Sequence, residues 1–187
     1  MKIFILDNFD SFTFNLVHCI EPFASKVEVK RNNDVDINEL NSFDKIVFSP
    51  GPGLPSEVKI MYKIIDLYKN TKPILGVCLG HQAIAEYFGA QLINMEEVNH
   101  GREIPTRIIQ PDYIFKNIPT KFISGRYHSW MVDKNNFPAA LEITSIDQKN
   151  HIMSIKHKKY DIRGVQFHPE SVMTEYGTQM LKNWVTQ

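Results

Sequence analysis

The chain has 187 residues, 43% of them hydrophobic and 22% charged, with 21 basic residues against 21 acidic ones. This composition is ordinary for a globular protein and leaves no excess positive charge to attract nucleic acid or an anionic membrane. No apolar run is long enough for a membrane span or a secretory signal, and the low cysteine usage, Cys19 and Cys78, predicts free thiols in a reducing cytoplasm.

Short apolar runs in the first half of the chain have the composition of buried parallel strands. Four strands are predicted, at residues 2–6, 27–29, 45–48 and 74–77. Because helical stretches separate them, we expect a mostly parallel sheet with helices on both faces. In such a sheet, ligands bind beyond the carboxyl ends of the strands.

Three helices are predicted between these strands. The first follows possible cap residues at Asp7-Asn8 and Asp10-Ser11, the second begins at a Ser56 cap, and the third covers 82–88 and stops at Gly89. The apolar face of the first helix is predicted to carry Phe12, Leu16, Cys19, Ile20 and Phe23. The apolar face of the second is predicted to carry Ile60, Ile64, Leu67 and Tyr68. Cys19 is therefore expected in the core.

Short strands dominate the second half of the chain, and loops that contain proline separate them. They are predicted at residues 91–94, 106–110, 122–124, 141–145, 152–156 and 162–168. A final helix at about 176–185 is expected to bury Met180, Leu181 and Trp184. We expect these strands to extend the same sheet in antiparallel fashion, so that residues 1–187 form a single α/β domain.

The segment around Cys78 is the strongest candidate for chemistry. Gly76-Val77-Cys78-Leu79-Gly80 has the layout of a nucleophile elbow, in which a strained turn between a strand and a helix exposes the nucleophile. The N-terminus of the helix favours a thiolate. Alternatives are a buried structural cysteine and half a zinc site made with His81. The chain lacks the second ligand pair of a structural zinc site, so we favour a reactive thiol and expect no metal.

A cysteine nucleophile requires a base, and His168 and Glu170 lie two residues apart at the end of a predicted strand. Side chains at this spacing share a face of the strand, and a carboxylate there would fix the tautomer of the imidazole. A surface turn without a role explains the same residues equally well. His81 is an alternative base, one helical turn from Cys78. It ranks below His168 because an elbow directs its nucleophile into the crevice, whereas His81 is expected to lie along the helix.

The loop Ser49-Pro50-Gly51-Pro52-Gly53 follows the third strand. It could be only a tight turn, and it lacks the Lys-Ser/Thr ending of a phosphate-binding loop. Its functional interpretation is a backbone wall, in which the N–H groups of Gly51 and Gly53 are uncovered and can stabilise an oxyanion.

Together these motifs resemble the class I, triad-type, glutamine amidotransferases. The resemblance rests on Pro50-Gly51-Pro52-Gly53, on residues 76–82 and on Phe167-His168-Pro169-Glu170-Ser171. Residues 7–16 and Arg126-Tyr127-His128-Ser129 are similar to the small subunits of anthranilate synthase or aminodeoxychorismate synthase. The match covers nearly the whole chain in order.

The resemblance implies a mechanism in which Cys78 attacks the side-chain amide of glutamine, His168 acts as base and acid, and Glu170 orients His168. A glutamyl thioester would form and then be hydrolysed. The backbone N–H groups of Gly51 and Leu79 would hold the oxyanion, in a wall that Pro52 and Gly53 complete. Gln82 and the Ser129-Trp130 segment would contact the amino-acid end of the substrate, and no cofactor is expected.

The resemblance also implies a partner, because nothing in the chain looks like a second catalytic domain that consumes ammonia. That partner is expected to be a chorismate-utilising synthase subunit, component I of anthranilate synthase or of aminodeoxychorismate synthase. The sequence does not separate the two pathways. A Cys-His-Glu amidase or peptidase of related fold, and a non-catalytic binding module, remain alternatives.

Two segments depart from the family pattern. Trp130 stands where the family usually has leucine, and His100-Gly101-Arg102-Glu103-Ile104 stands where it usually has His-Gly-Lys-x-Ser. The resemblance implies that the first position contacts glutamine through its backbone, so a larger side chain is expected to be tolerated. The second lies in a loop that the family uses near its partner, where the departure bears on activation.

Overall fold

The computed structural model describes the backbone of residues 1–187 and the side chains of residues 1–95 and 101–187. Within that described chain, nine strands form one sheet. The strands are β1 (Lys2–Asp7), β2 (Lys26–Arg31), β3 (Lys45–Phe48), β4 (Ile74–Val77), β5 (Leu92–Ile108), β6 (Lys121–Val132), β7 (Leu141–Asp147), β8 (Ile152–His157) and β9 (Ile162–Val165). The helices are α1 (Thr13–Ile20), α2 (Ile60–Tyr68), α3 (Leu79–Tyr87) and α4 (Gly177–Thr186). Short 3-10 turns cover Glu21–Phe23, Ile37–Ser42, Pro55–Glu57 and Tyr113–Phe115.

The strand order is β2-β1-β3-β4-β9-β8-β7-β5-β6. The pairs from β2 to β9 are parallel, and those from β9 to β6 are antiparallel. The predicted α/β class, with antiparallel strands added in the C-terminal half, is therefore confirmed. Strand β9 joins the two parts, and its parallel pairing with β4 brings their carboxyl ends side by side.

Two apolar clusters cover the two faces of the sheet. Strand β1 alternates between them, with Phe4 and Leu6 on one side and Ile3 and Ile5 on the other. Helices α2 and α3 pack on the first face, while α1 and α4 pack on the second. Each fully buried aliphatic side chain stabilises the fold by roughly 1.5–3 kcal/mol. The central strands are thus fixed from both sides.

The long hairpin of β5 and β6 differs from the prediction. The strands predicted at 91–94 and 106–110 are parts of one strand, and the strand predicted at 122–124 extends over Lys121–Val132. The two strands pair with each other from Leu92 opposite Val132 to Arg107 opposite Lys121. Register shifts between Asn94 and Asn99 and between His100 and Arg102 interrupt the two-residue alternation on which the prediction depended.

Three details of the predicted helices are wrong. Ser56 does not cap α2, because residues Pro55–Glu57 form a separate 3-10 turn and α2 begins at Ile60. Leu67 is 52% exposed, since the buried face of α2 consists of Met61, Ile64, Ile65 and Tyr68. Cys19 is only partly buried at the edge of the second cluster.

Helix α3 ends as predicted, with Gly89 at φ 102° just after it. No helix among the described residues is long and apolar enough to cross a bilayer.

Candidate active site

Cys78 lies in a strained turn between β4 and α3. Its backbone has φ 51° and ψ −98°, a conformation that costs a non-glycine residue on the order of 1–3 kcal/mol. Two backbone hydrogen bonds hold it: Cys78 N donates to the Val165 carbonyl at 2.8 Å, and Gln82 N donates to the Cys78 carbonyl at 3.1 Å. The sulfur is therefore presented at the carboxyl end of the sheet, in the geometry of a nucleophile elbow.

Flanking glycines make this turn possible. A Cβ atom on Gly76 would lie 2.3 Å from the carbonyl carbon and oxygen of Gly80, and one on Gly80 would lie 2.6 Å from Cβ of Phe48. The start of α3 thus presses directly on β3 and β4. Any side chain at these two positions would force the backbone apart and displace Cys78.

His168 and Glu170 meet as predicted, but not along a strand. Strand β9 ends at Val165, and His168 lies beyond it in a turn closed by the Ser171 N–H on the His168 carbonyl at 3.1 Å. In this turn, Nδ1 of His168 lies 2.7 Å from Oε1 of Glu170. Both residues are almost fully buried. Because an ionised carboxylate only accepts, Nδ1 carries the proton and Nε2 faces the other way.

The electrostatics around His168 favour the charged ring. Burial lowers its pKa, but the negative charge of a Cys78 thiolate and the hydrogen-bonded Glu170 carboxylate outweigh burial and hold that pKa well above 6.5. Its Nε2 atom is buried and has no hydrogen-bond partner of ordinary geometry among the described side chains. The arrangement is that of a thiolate and imidazolium pair, in which Nε2 of His168 carries a proton that it can give to a reacting atom.

Two aromatic rings hold the imidazole from other elements. The ring centroids of Tyr127, on β6, and Phe12, just before α1, lie 4.8 and 5.6 Å from that of His168, both near edge-on. No role was predicted for Tyr127 from the sequence, and Phe12 was predicted to lie in the core. Together these rings restrict the imidazole to one orientation.

His81, the rival base, is fully buried beneath the elbow. A Cβ atom on Gly164 of β9 would lie 2.7 Å from its Nδ1 atom, so the ring packs tightly against that strand. Burial lowers the pKa of His81 to about 4, which keeps the ring neutral. Among the described side chains, no group of three or more His, Cys, Asp or Glu residues is placed to hold a metal ion.

The loop after β3 contacts the start of α3 at Gly51. A Cβ atom on Gly51 would lie 2.8 Å from Cδ2 of Leu79, so these two predicted oxyanion residues are adjacent. Leu79 begins α3, and its N–H therefore has no partner within the helix. Pro52 and Gly53 lie on the exposed rim, where Gly53 turns the chain at φ 76°.

Asn8 supports this loop, a role that sequence analysis missed. Its backbone N–H donates to Oγ of Ser49 at 2.8 Å, and its side-chain Nδ2 donates to the Ser49 carbonyl at 2.9 Å. These bonds tie the end of β1 to the end of β3. The signal was present in the sequence, since both residues are polar and directly follow apolar strands.

The residues predicted to contact the amino-acid end of the substrate also come together. Nε2 of Gln82 donates to the Trp130 carbonyl at 2.8 Å and to Oε1 of Gln166 at 3.1 Å. Trp130 thus takes part through its backbone, and Ser129 precedes it as a half-buried residue on β6. Gln166, which is fully buried, belongs to this group although no role was predicted for it. The available signal in the sequence was a glutamine between the apolar residues Val165 and Phe167.

A buried charged network lies behind Trp130. Arg126 is fully buried, its Nη1 and Nη2 atoms each lie 3.4 Å from Oδ2 of Asp147, and its Nε donates to Nε2 of His128 at 2.8 Å. The opposite nitrogen of His128, Nδ1, lies 2.7 Å from the Trp130 carbonyl. Arg126 and His128 belong to a motif that carries the family resemblance, but no function was predicted for their side chains.

The second departure from the family pattern borders a cavity. Arg102, Glu103 and Ile104 line a space of about 590 Å³, which Asp147 also reaches. The side chain of His100 lies outside the described residues. The cavity therefore adjoins the charged network at Asp147.

Comparison with known protein families identifies the family to which the chain belongs. The family model described as glutamine amidotransferase class-I matches residues 4–187. The chain belongs to that family. The resemblance drawn from the motifs is thus confirmed, and the chain is a class I glutamine amidotransferase by membership.

Individual relatives are similar to this class I amidotransferase over nearly its whole length. It is 43% identical to "Anthranilate synthase component 2" of Pyropia yezoensis, over 98% of each protein. It is 38% identical to "Aminodeoxychorismate/anthranilate synthase component 2" of Bacillus subtilis (strain 168), over 98% of this chain and 95% of the relative. The predicted similarity to the small subunits of these synthases is confirmed.

A solved structure supports the fold. The crystal structure of a putative GMP synthase subunit from Thermoplasma acidophilum superimposes with a TM-score of 0.89 at 26% identity, and the match covers 100% of this chain and 92% of the other. The amidotransferase fold is therefore retained among members of low sequence identity.

Proposed function

We propose that this chain is the glutaminase subunit of a chorismate-utilising synthase. It hydrolyses L-glutamine to glutamate and delivers the ammonia to component I of anthranilate synthase, of aminodeoxychorismate synthase, or of both. The observation that carries this proposal is the hydrogen-bonded His168–Glu170 pair that acts on the Cys78 sulfur at the carboxyl edge of the sheet. The full-length similarity to component 2 proteins supports the choice of partner.

The first half of the reaction forms a thioester. The Cys78 thiolate attacks the carbonyl carbon of the glutamine side chain, and the carbonyl oxygen becomes an oxyanion. The N–H groups of Gly51 and Leu79 stabilise that oxyanion, where one well-placed donor contributes roughly 3 kcal/mol. As the carbon–nitrogen bond breaks, Nε2 of the His168 imidazolium gives its proton to the leaving nitrogen, and ammonia departs.

The second half releases glutamate. The neutral His168 takes a proton from a water molecule, whose oxygen attacks the thioester carbon. The carbon–sulfur bond breaks, the thiolate re-forms, and the proton on Nε2 restores the imidazolium. Glu170 holds the ring throughout by accepting the Nδ1 proton, so that the same nitrogen faces the substrate in both halves.

Recognition of glutamine is proposed to involve Gln82, Ser129 and Trp130. Both hydrogens on Nε2 of Gln82 are engaged, one by the Trp130 carbonyl and one by Gln166. The amide oxygen of Gln82 therefore remains as the atom that accepts from the α-ammonium group of the substrate. The reaction requires a thiol, an imidazole, a carboxylate and backbone donors, so we propose that this chain uses no cofactor.

The two component 2 relatives carry the names of both pathways, so we assign this chain to either or both. Co-purification from native cells identifies the synthase that accompanies it. The cysteines Cys19 and Cys78 are both free thiols, which suits the reducing cytoplasm that we propose as its location.

The proposal is tested by labelling the chain with a glutamine-like diazo-ketone. We expect stoichiometric modification of Cys78 that excess glutamine prevents, together with glutamine hydrolysis that rises when the synthase subunit is added. Unmodified Cys78 would favour a binding module. Hydrolysis of a peptide panel in place of glutamine would favour an amidase or peptidase of related fold, and equal hydrolysis with and without the synthase would contradict the coupling.

A further inference from the structure

Gln166 lies between the substrate-binding side chains and the nucleophile. It immediately follows β9, is fully buried, and is held by its backbone N–H on the Met153 carbonyl at 2.8 Å. Its side-chain Nε2 lies 3.6 Å from Sγ of Cys78, within the range of an N–H to sulfur hydrogen bond. The amide is therefore placed to act on the sulfur directly.

The orientation of this amide follows from its neighbours. The Trp130 backbone oxygen can only accept, so the Gln82 atom 2.8 Å away must be its Nε2 donor. The second hydrogen on that nitrogen then requires an acceptor, so the Gln166 atom 3.1 Å away is Oε1. Nε2 of Gln166 consequently faces the sulfur, and Gln166 donates to Cys78.

The buried Arg126 and His128 side chains fix the first hydrogen bonds in the series that leads to Gln166. Arg126 can only donate, so Nε2 of His128 accepts from it and Nδ1 of His128 carries the hydrogen that is given to the Trp130 carbonyl. Burial, and then the charge of Arg126, lower the pKa of His128 well below 6.5, which agrees with a neutral ring. The directions of all the hydrogen bonds from Arg126 to Cys78 are thus determined.

We propose that Gln166 is a further catalytic residue of the glutaminase reaction, whose side-chain N–H donates to the Cys78 sulfur, stabilises the thiolate and directs it toward the substrate. This inference rests on the proposed function, in which Cys78 is the nucleophile. Gln82 and the Arg126–His128 pair act as positioning residues, because they orient the Gln166 amide without touching the sulfur.

The thiolate therefore has two sources of stabilisation, the His168 imidazolium and the Gln166 amide. Replacement of Gln166 by methionine keeps a similar side-chain length but removes the N–H group that donates to the Cys78 thiolate. From the typical strength of hydrogen bonds to charged groups, we expect the midpoint of thiolate formation to rise by about one to two pH units. Glutaminase activity lost at neutral pH should return as the pH is raised.

The test measures the pH dependence of alkylation of Cys78 by iodoacetamide, read by mass spectrometry, in full-length protein that carries Cys19→Ser. Gln166→Met is compared with Gln110→Met, which removes an exposed glutamine between β5 and β6. The titratable groups that act on Cys78, His168 and Arg126, are unchanged in both variants. We expect a raised midpoint in Gln166→Met and an unchanged one in Gln110→Met.

An unchanged midpoint in folded Gln166→Met overturns the proposal and reduces Gln166 to a structural residue. If Gln166→Met does not fold, Gln82→Met carries the test, because it frees the Gln166 amide to rotate; the expected shift is smaller but in the same direction, and its absence overturns the proposal. Alkylation requires no glutamine, so absence of glutaminase activity would contradict the proposed function without affecting this measurement.

Discussion

Nδ1 of His168 lies 2.7 Å from Oε1 of Glu170, and both side chains are buried at the end of the sheet where Cys78 projects. The carboxylate supports the positive charge of the ring and leaves Nε2 toward the reacting atoms. Together with the negative charge of a Cys78 thiolate, Glu170 raises the pKa of the buried His168 and so makes its ring a proton carrier.

Replacement of Glu170 by glutamine tests that role. Loss of the negative charge lowers the pKa of His168, so less imidazolium is present to protonate the departing ammonia. We expect kcat for glutamine hydrolysis to fall by about 10²-fold or more, the usual contribution of acid–base catalysis. Glu175→Gln, in the same loop, is the matched control, and equal kcat in the two variants would contradict the assignment.

His81 makes the fold sensitive to acid. Its pKa is lowered to about 4 by burial, so between pH 6.5 and 4 the unfolded chain binds a proton that the folded chain does not. Stability therefore falls as the pH decreases through this window. The loss attributable to His81 is about 2 kcal/mol at pH 5.

Urea unfolding at pH 7 and pH 5 measures this loss. In His81→Asn, the difference between the free energies of unfolding at pH 7 and at pH 5 should shrink by that amount, whatever the absolute stability of the variant. His18→Asn, on the exposed side of α1, should leave it unchanged. A pH dependence that persists in full in His81→Asn would show that the acid sensitivity arises elsewhere.

Gly80→Ala is expected to damage both the fold and the site. The added Cβ atom would lie 2.6 Å from Cβ of Phe48, so α3 has to move away from β3. We expect a loss of about 3 kcal/mol in the free energy of unfolding, together with loss of glutaminase activity as Cys78 is displaced.

Gly89→Ala is the matched control for this change. A Cβ atom there meets nothing within 4 Å, and only the positive φ of 102° opposes it. We expect it to cost about 1 kcal/mol and to keep activity, because it lies at the far end of α3. Thermal melts and glutaminase assays compare the two, and an active, stable Gly80→Ala would contradict the described packing.

His128 is expected to control affinity for glutamine, because its Nδ1 hydrogen bond fixes the Trp130 carbonyl and through it Gln82. In His128→Leu we expect KM for glutamine to rise by about tenfold, the cost of one lost hydrogen bond to a positioning group. His128→Asn should restore much of the affinity, because its Nδ2 can occupy the place of Nδ1. Equal KM values for the two variants would show that the donor has no role.

Much of the fold was predictable from the sequence because the central strands are buried on both faces and consist of continuous apolar runs, as in β1 and β3. The elbow was predictable because only glycine fits at 76 and 80. The full length of the β5–β6 hairpin was not, since register shifts in β5 interrupt the alternation that marks a single strand. Likewise, the hydrogen bonds of Gln166 depend on β4 and β9 being neighbours, which no local pattern reveals.

In the proposed function, Cys78 is the nucleophile that releases ammonia for a synthase partner. The direct measurement compares glutamine-dependent and ammonia-dependent synthesis by the complex that contains Cys78→Ser, with Cys19→Ser as the control. We predict that Cys78→Ser abolishes the glutamine-dependent reaction and preserves the ammonia-dependent one, while Cys19→Ser preserves both. Full glutamine-dependent synthesis by Cys78→Ser, or loss of both reactions, would contradict the account.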